Sequence, residues 1–239
     1  MSVTILKTSP STNTEAKNPR FRHGDAIVAF EQTEGRGQRG NRWSSRAGEN
    51  LTFSLVWEPT FLDAPKQFLL SEAVALALCD TLEKYGIAVA IKWPNDIYAG
   101  DRKVCGILIE HFISEGRLSR TIVGIGLNVN QTSFEEWIPN PTSMKLLTER
   151  EEDIMAVFNT LYGDLDRRYR QLLEGGAERL QQEYRGRLYR LDEAHTYALP
   201  DGSRFEGILR GVEPDGGLIV EHGGTLDRYM FKEIEFVIN

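Results

Sequence analysis

The chain has 239 residues, 41% of them hydrophobic, enough for one sizeable core and a small second domain. Its net charge of −7 disfavours general affinity for nucleic acid, because a protein that lives on phosphate contacts is normally basic. Cys79 and Cys105 form neither a CxxC pair nor a disulfide framework, and neither a signal peptide nor a run of about 20 apolar residues is present, so a soluble cytoplasmic protein without membrane contact is expected.

In chain order, VTIL at 3–6 reads as a short strand, followed by a polar turn holding Ser11, Thr12 and Asn13. That trio suits a helix N-cap with Glu15 behind it, or equally a set of side chains turned to a ligand. AIVAF at 26–30 and LTFSLVW at 51–57 read as strands, and between them lies EGRGQRGNRWSS at 34–45. Glycine lets backbone come close to a ligand, and each Arg offers a planar fork of donors for carboxylate or phosphate. This segment therefore reads as an exposed loop for holding an anion, poorly ordered when empty and closed when filled. The plainer alternative is a solvated, RGG-like basic loop.

A helical pattern over 64–85 ends at Gly86, with Cys79 as a small buried thiol inside it. The strand VAIKW then runs into a Trp-Pro-Asn-Asp turn. DRKVCGILIE at 101–110 puts Lys103 at the start of an apolar strand, leaves bare backbone at Gly106, and by simple alternation sets Cys105 on the same face as Lys103. A hairpin at 114–117 leads into TIVGIGLNVN at 121–130, where the alternating Gly124 and Gly126 clear one face for something flat.

Past Asn130 the chain is irregular, with an exposed Trp137, until Thr148 and Glu151 suggest a capping box for a helix to about Leu173. A shorter helix follows Gly175 and Gly176, and Arg167, Arg168 and Arg170 read as a solvated face. From about Arg187 the period becomes two, with turns at Asp201-Gly202, Asp215-Gly216-Gly217 and Gly223-Gly224. The 4 histidines are scattered, so no structural metal site is expected.

Four motifs taken together resemble the biotin protein ligases: GRGxxGxxW at 35–43, KWPND at 92–96, Lys-x-x-Gly-Ile-Leu at 103–108 and Gly-x-Gly-x-Asn-x-Asn at 124–130. The resemblance implies an α+β fold, with a mixed or antiparallel sheet and flanking helices of the class II synthetase-like type over 1–186. Over 187–239 it implies a small SH3-like β-barrel. It implies conversion of biotin and ATP, with Mg2+, to biotinyl-AMP and pyrophosphate, then transfer to a lysine of a biotin carboxyl carrier protein. It is also compatible with a homodimer. With no helix-turn-helix ahead of the first strand, no DNA-binding role is expected.

Carried over by motif, Lys103, Arg36 and Asp96 are the catalytic candidates. Ser11, Thr12, Asn13, Gln32, Gly35, Arg36, Lys103, Gly106 and Gly124 are the biotin-binding ones. Arg36, Gln38, Arg39, Trp43, Asn95, Lys103, Asn128, Trp137 and Arg210 are expected at the adenylate. The chemistry agrees: joining a carboxylate to an α-phosphate brings two anions together, and cations must first neutralise them. Gln38 stands where the commonest family pattern has Arg. Lipoate or octanoate ligases share the adenylation logic but carry an Arg-Arg-x-Ser-Gly-Gly-Gly motif missing here. A non-catalytic nucleotide- or RNA-binding module on the Arg-Gly loop is the third reading.

Overall fold

The computed structural model describes residues 2–238, with the side chain of Arg39 outside the described residues. Stretches rich in β-branched residues form β1 (Val3–Leu6), β2 (Ala26–Ala29), β3 (Leu51–Trp57), β4 (Ala90–Lys92), β5 (Asp96–Ala99), β6 (Arg102–Ser114) and β7 (Arg117–Leu127). They pair as one mixed sheet in the order β1-β2-β3-β7-β6-β5-β4, in which only β1 and β2 run parallel.

Alternation divides the sheet into a covered face and a working face. Phe53, Leu55 and Trp57 of β3, with Val123, Ile125 and Leu127 of β7, enter the main core with the helices α2 (Phe68–Lys84) and α4 (Ile154–Leu173). The opposite face carries Thr52, Ser54 and the glycines of β6 and β7, and packs the short helix α1 (Thr12–Ala16) at one end.

Three local expectations change. Pro65 falls in a separate 3-10 turn at Ala64–Lys66, so α2 starts only at Phe68. Thr148 ends α3 (Met144–Thr148), its hydroxyl bonded to Met144 O at 2.9 Å, and Glu149 breaks the chain direction at φ 59°. The cap of α4 is Asp153, which accepts from Met155 N at 2.8 Å and Ala156 N at 2.9 Å, so no Thr148–Glu151 capping box forms. Nor is Arg168 part of a solvated face: at 6% exposure it lies between Asp80 of α2, at 2.7 Å, and Glu183 of α5 (Ala177–Gly186). A buried Arg of this kind ties three helices together, where a solvated one would tie none.

The remaining strands, β8 (Ala194–Ala198), β9 (Arg204–Val212), β10 (Leu218–His222), β11 (Thr225–Tyr229) and β12 (Glu235–Phe236), form an antiparallel sheet in the order β11-β10-β9-β8-β12. Tyr197, Leu209, Leu218, Val220 and Ile234 join the main core, and Trp93 Nε1 donates to Gly216 O at 2.9 Å. This contact docks the small sheet at the β4 end of the large one. Among the described residues no helix is long and apolar enough to cross a membrane.

Candidate active site

The site begins with a slip in strand register. Asp96 pairs with Gly106 and Ile97 with Cys105, but Tyr98 then faces Lys103, so Val104 is the extra residue. Plain alternation would put Lys103 and Cys105 on one face. The bulge instead turns Lys103 onto the working face with Asp96 and Gly106 and sends Cys105 into the core at 0% exposure, correcting the expected shared face. Burial pushes the Cys105 thiol well above its ordinary pKa, so it stays protonated and inert.

Across the sheet, Thr52, Gly126, Gly106, Asp96 and Lys92 are successive register partners, and Ser54, Gly124 and Leu108 form the next row on the same face. Above these rows lies a cavity of about 730 Å3, walled on its far side by Phe231, Ile234, Glu235 and Phe236 of the C-terminal segment.

One end of the cavity is a hydrogen-bonded polar nest. Gln32 Oε1 accepts from Thr12 N at 2.8 Å and from Thr12 Oγ1 at 3.2 Å. The Ser54 hydroxyl lies 2.7 Å from Thr12 Oγ1 and 2.6 Å from Asn13 Oδ1. Ser11 occupies the cap position of α1 but makes no side-chain cap bond, so the polar trio serves the cavity more than the helix. A Cβ on Gly124 would stand 2.2 Å from Asn13 Oδ1, which fixes that position as glycine. Asn13 Nδ2 also donates to Glu110 Oε2 at 2.9 Å. Burial raises the Glu110 carboxyl, but the bonds from Lys17 and Asn13 outweigh it and hold the group below the ordinary carboxylate range.

The middle is a glycine cradle, and the flat object lying in it is the indole of Trp43. A Cβ on Gly126 would come within 2.2 Å of Trp43 Cε2, and one on Gly106 within 2.9 Å of Cζ3. Trp43 Nε1 is buried without a partner among the described residues. The indole is held by the Arg-Gly loop, which folds back as a narrow hairpin through Trp43 N to Gly35 O at 3.0 Å and Gly37 N to Asn41 O at 2.7 Å. Gly35 permits this close return, since a Cβ there would lie 2.3 Å from Trp43 O. Arg36 reaches Thr14 Oγ1 at 2.5 Å and lines the cavity with Gln38. The Arg39 side chain falls outside the described residues.

Beside the cradle, Lys103 Nζ sits 2.7 Å from Asp96 Oδ1 and 5.7 Å from the Trp43 ring centroid. Asn95 also lines the cavity, its Nδ2 donating to Ile107 O at 2.7 Å and pinning the Pro-Asn-Asp turn to β6. Four expected residues lie outside the cavity lining, Gly35 being one, on a neighbouring cleft. Asn128 is buried and donates to Thr142 O at 2.9 Å, a structural bond. Trp137 is 56% exposed on an adjoining cleft shared with Gly35 and Trp43. Arg210, on β9, is held by Asp192 at 2.8 Å and Glu221 at 2.7 Å, away from the cavity lining. Conversely, Lys92, Tyr98 and the segment from Phe231 to Phe236 line the cavity unannounced. Only the KWPND motif hinted at Lys92, and no local pattern marks the C-terminal segment.

This arrangement can bind a polar ring at one end, lay an apolar chain beside the Trp43 indole, and meet an anion at Lys103. Among the described residues no three His, Cys, Asp or Glu side chains gather as metal ligands.

Comparison with known proteins agrees with that chemistry. Residues 5–128 match the family model described as the biotin/lipoate A/B protein ligase family. The chain is similar to the bifunctional ligase/repressor BirA of Escherichia coli, 32% identical over 98% of this chain and 73% of that protein. It is similar to a biotin–[acetyl-CoA-carboxylase] ligase of Paracoccus denitrificans, 32% identical over 90% of this chain and 92% of the other. Its fold superposes on a biotin protein ligase from Aquifex aeolicus solved with biotin and ATP at a TM-score of 0.84 and 26% identity, covering 100% of this chain and 99% of that one.

Proposed function

The chain belongs to the biotin/lipoate A/B protein ligase family, and from that premise we infer that it is a biotin protein ligase, forming biotinyl-AMP from biotin and ATP and passing the biotinyl group to a carrier-domain lysine. The observation that carries this reading is the bulge that delivers Lys103 to the end of the glycine cradle, opposite a nest of hydrogen-bonding side chains.

Biotin's ureido ring takes Ser11, Thr12, Asn13, Gln32 and Ser54 as its polar partners, and its chain runs past Gly124 and Gly106 along the edge of the Trp43 indole. Its carboxylate then arrives at Lys103. One cation at about 4 Å from an anionic oxygen contributes roughly 4 kcal/mol at an effective dielectric of 20, so Lys103 and Arg36 together offset much of the repulsion between carboxylate and α-phosphate. A carboxylate oxygen attacks the α-phosphorus, the bond to the bridging oxygen breaks, and pyrophosphate leaves with the electron pair. Once the adenylate phosphate holds Lys103, Asp96 is released from its ion pair to orient the carrier amine and accept its proton as AMP departs.

Gln38, Arg36 and the rest of the Arg-Gly hairpin cover the nucleotide, with Trp43 beneath it and Trp137 reaching the adenine from the adjoining cleft. Magnesium would enter with ATP as the counter-ion of its phosphates, since the described residues gather no three metal-ligating side chains of their own. We assign catalysis to 1–186 and an SH3-like barrel to 187–239, in a cytoplasmic protein.

The test is mass spectrometry of a biotin carboxyl carrier domain incubated with the protein, ATP and magnesium. Gain of one biotinyl group with biotin, and none with lipoate, is expected. Modification by lipoate alone would move the chain to the other branch of its family, and no modification by either would remove the ligase reading.

A further inference from the structure

Lys92 lies at the end of the cavity farthest from the polar nest, where Lys232 of the C-terminal segment is a second lining cation. Lys92 pairs across the strands with Asp96, which pairs with Gly106, which pairs with Gly126. With about 4.8 Å between neighbouring strands, Lys92 lies roughly 15 Å from the β7 glycines, well past the point where Lys103 meets a carboxylate.

Its surroundings differ from those of Lys103. Lys103 is neutralised by Asp96 at 2.7 Å, whereas the Lys92 ammonium is held over two aromatic faces, 5.3 Å from the Tyr98 centroid and 5.2 Å from that of Phe236. Tyr98 belongs to the large sheet and Phe236 to the small one, so this cage forms only where the two sheets meet. Among the described residues no carboxylate makes an ion pair with Lys92. Burial pulls its pKa down and the neighbouring Lys103 adds to this, with Asp96 and Glu235 opposing. A half-buried cation in an aromatic cage, lining a cavity with no paired acid, is a waiting partner for an anion.

We propose that Lys92, caged by Tyr98 and Phe236, binds the β- and γ-phosphates of ATP and stabilises pyrophosphate as it leaves the α-phosphorus. This deepens the ligase reading and rests on it. The row sets the order: ring at the nest, carboxylate and α-phosphate at Lys103, leaving group at Lys92. When the bond from the α-phosphorus to the bridging oxygen breaks, the electron pair stays on pyrophosphate. The fixed ammonium meets that new charge with no proton transfer. The role also explains why strand β12 borders the cavity: it supplies one wall of the cage.

The experiment compares the wild type with Lys92→Met, Lys92→Arg and Phe236→Ala. It reads biotin binding by calorimetry, inhibition of adenylation by added pyrophosphate, pyrophosphorolysis of preformed biotinyl-AMP, and transfer from preformed biotinyl-AMP to a carrier domain. For Lys92→Met, pyrophosphorolysis and adenylation should fall about 100-fold and the pyrophosphate inhibition constant should rise at least tenfold, while biotin affinity and transfer stay within about twofold. Lys92→Arg should recover much of the loss, and Phe236→Ala should show a smaller version of it. Equal losses in transfer and adenylation would reduce Lys92 to a structural residue. An unchanged pyrophosphate constant in a folded Lys92→Met protein would overturn the proposal while leaving the ligase reading intact, and failure of the wild type to bind biotin would overturn that reading itself.

Discussion

The ammonium of Lys103 and the carboxylate of Asp96 stand 2.7 Å apart on neighbouring strands, each keeping the other occupied until a substrate anion arrives. A half-buried pair like this stores both catalytic charges in a neutral arrangement. Lys103→Ala should therefore cost adenylate formation about 10² to 10³ in rate, with the fold retained. Pyrophosphate release measured alongside circular dichroism checks it: near-normal turnover by a folded variant would take Lys103 out of the chemistry.

The cradle gives a second prediction. A methyl group on Gly126 would sit 2.2 Å from Trp43 Cε2, and rigid ring and strand leave neither room to move. Gly126→Ala should expel the indole, shift its fluorescence to the red and weaken biotinyl-AMP binding more than tenfold. In a Trp43→Ala background the same change should be mild. If the two substitutions simply add, the indole and Gly126 do not share that space.

Loop closure is the third. In the hairpin Gly37 N, Asn41 N and Trp43 N are bonded within the loop itself, so its backbone has its own shape and its main tie to the sheet is the Trp43 indole. With biotin and ATP bound, amide exchange over 35–45 should slow at least tenfold relative to the free protein. Equal protection in the two states would mean that the hairpin is a fixed wall and no lid.

The fourth concerns Glu72, inside α2 at 2% exposure, whose Oε2 has no partner among the described residues. Burial pushes its carboxyl up to about 8 from an ordinary 4.5. Below the ordinary value both folded and unfolded chains hold the proton. Between the two values only the folded chain does, so stability falls as pH rises, by at most about 1.4 kcal/mol per unit, and levels off above the folded value. Glu72→Met should flatten that slope and raise the urea midpoint at pH 8 more than at pH 5. A slope unchanged by the substitution would assign the pH dependence to other groups.

Much of the site was legible because it is built from backbone vacancies and charge. Gly124, Gly126 and Gly106 announce a cleared strip, and the Arg-Gly run announces an anion loop, without any knowledge of what packs beside them. The strands and the hairpins followed from period two and turn residues. What escaped depends on tertiary choices. A bulge opposite Tyr98 leaves no mark in DRKVCGILIE, so simple alternation misplaces Cys105. Thr148 and Asp153 are both good caps, and the left-handed turn at Glu149 decides between them. Arg168 looks like its neighbours until Asp80 and Glu183 close around it. Phe236 reaches the cavity from the end of the chain through sheet packing that no short window contains.

The slipped pairing between β5 and β6 also restricts how this protein can change over generations. Because facing alternates residue by residue, a single insertion or deletion between Lys103 and Gly106 keeps the lysine on the working face and Cys105 in the core only if a bulged residue is gained or lost with it, as loss of Val104 itself would do. Changes of two residues would keep each side chain on its side. The length of this stretch and its bulge are thus inherited together: substitutions can drift through it one at a time, while an odd-numbered indel must be matched by a bulge gained or lost in any lineage that keeps the activity.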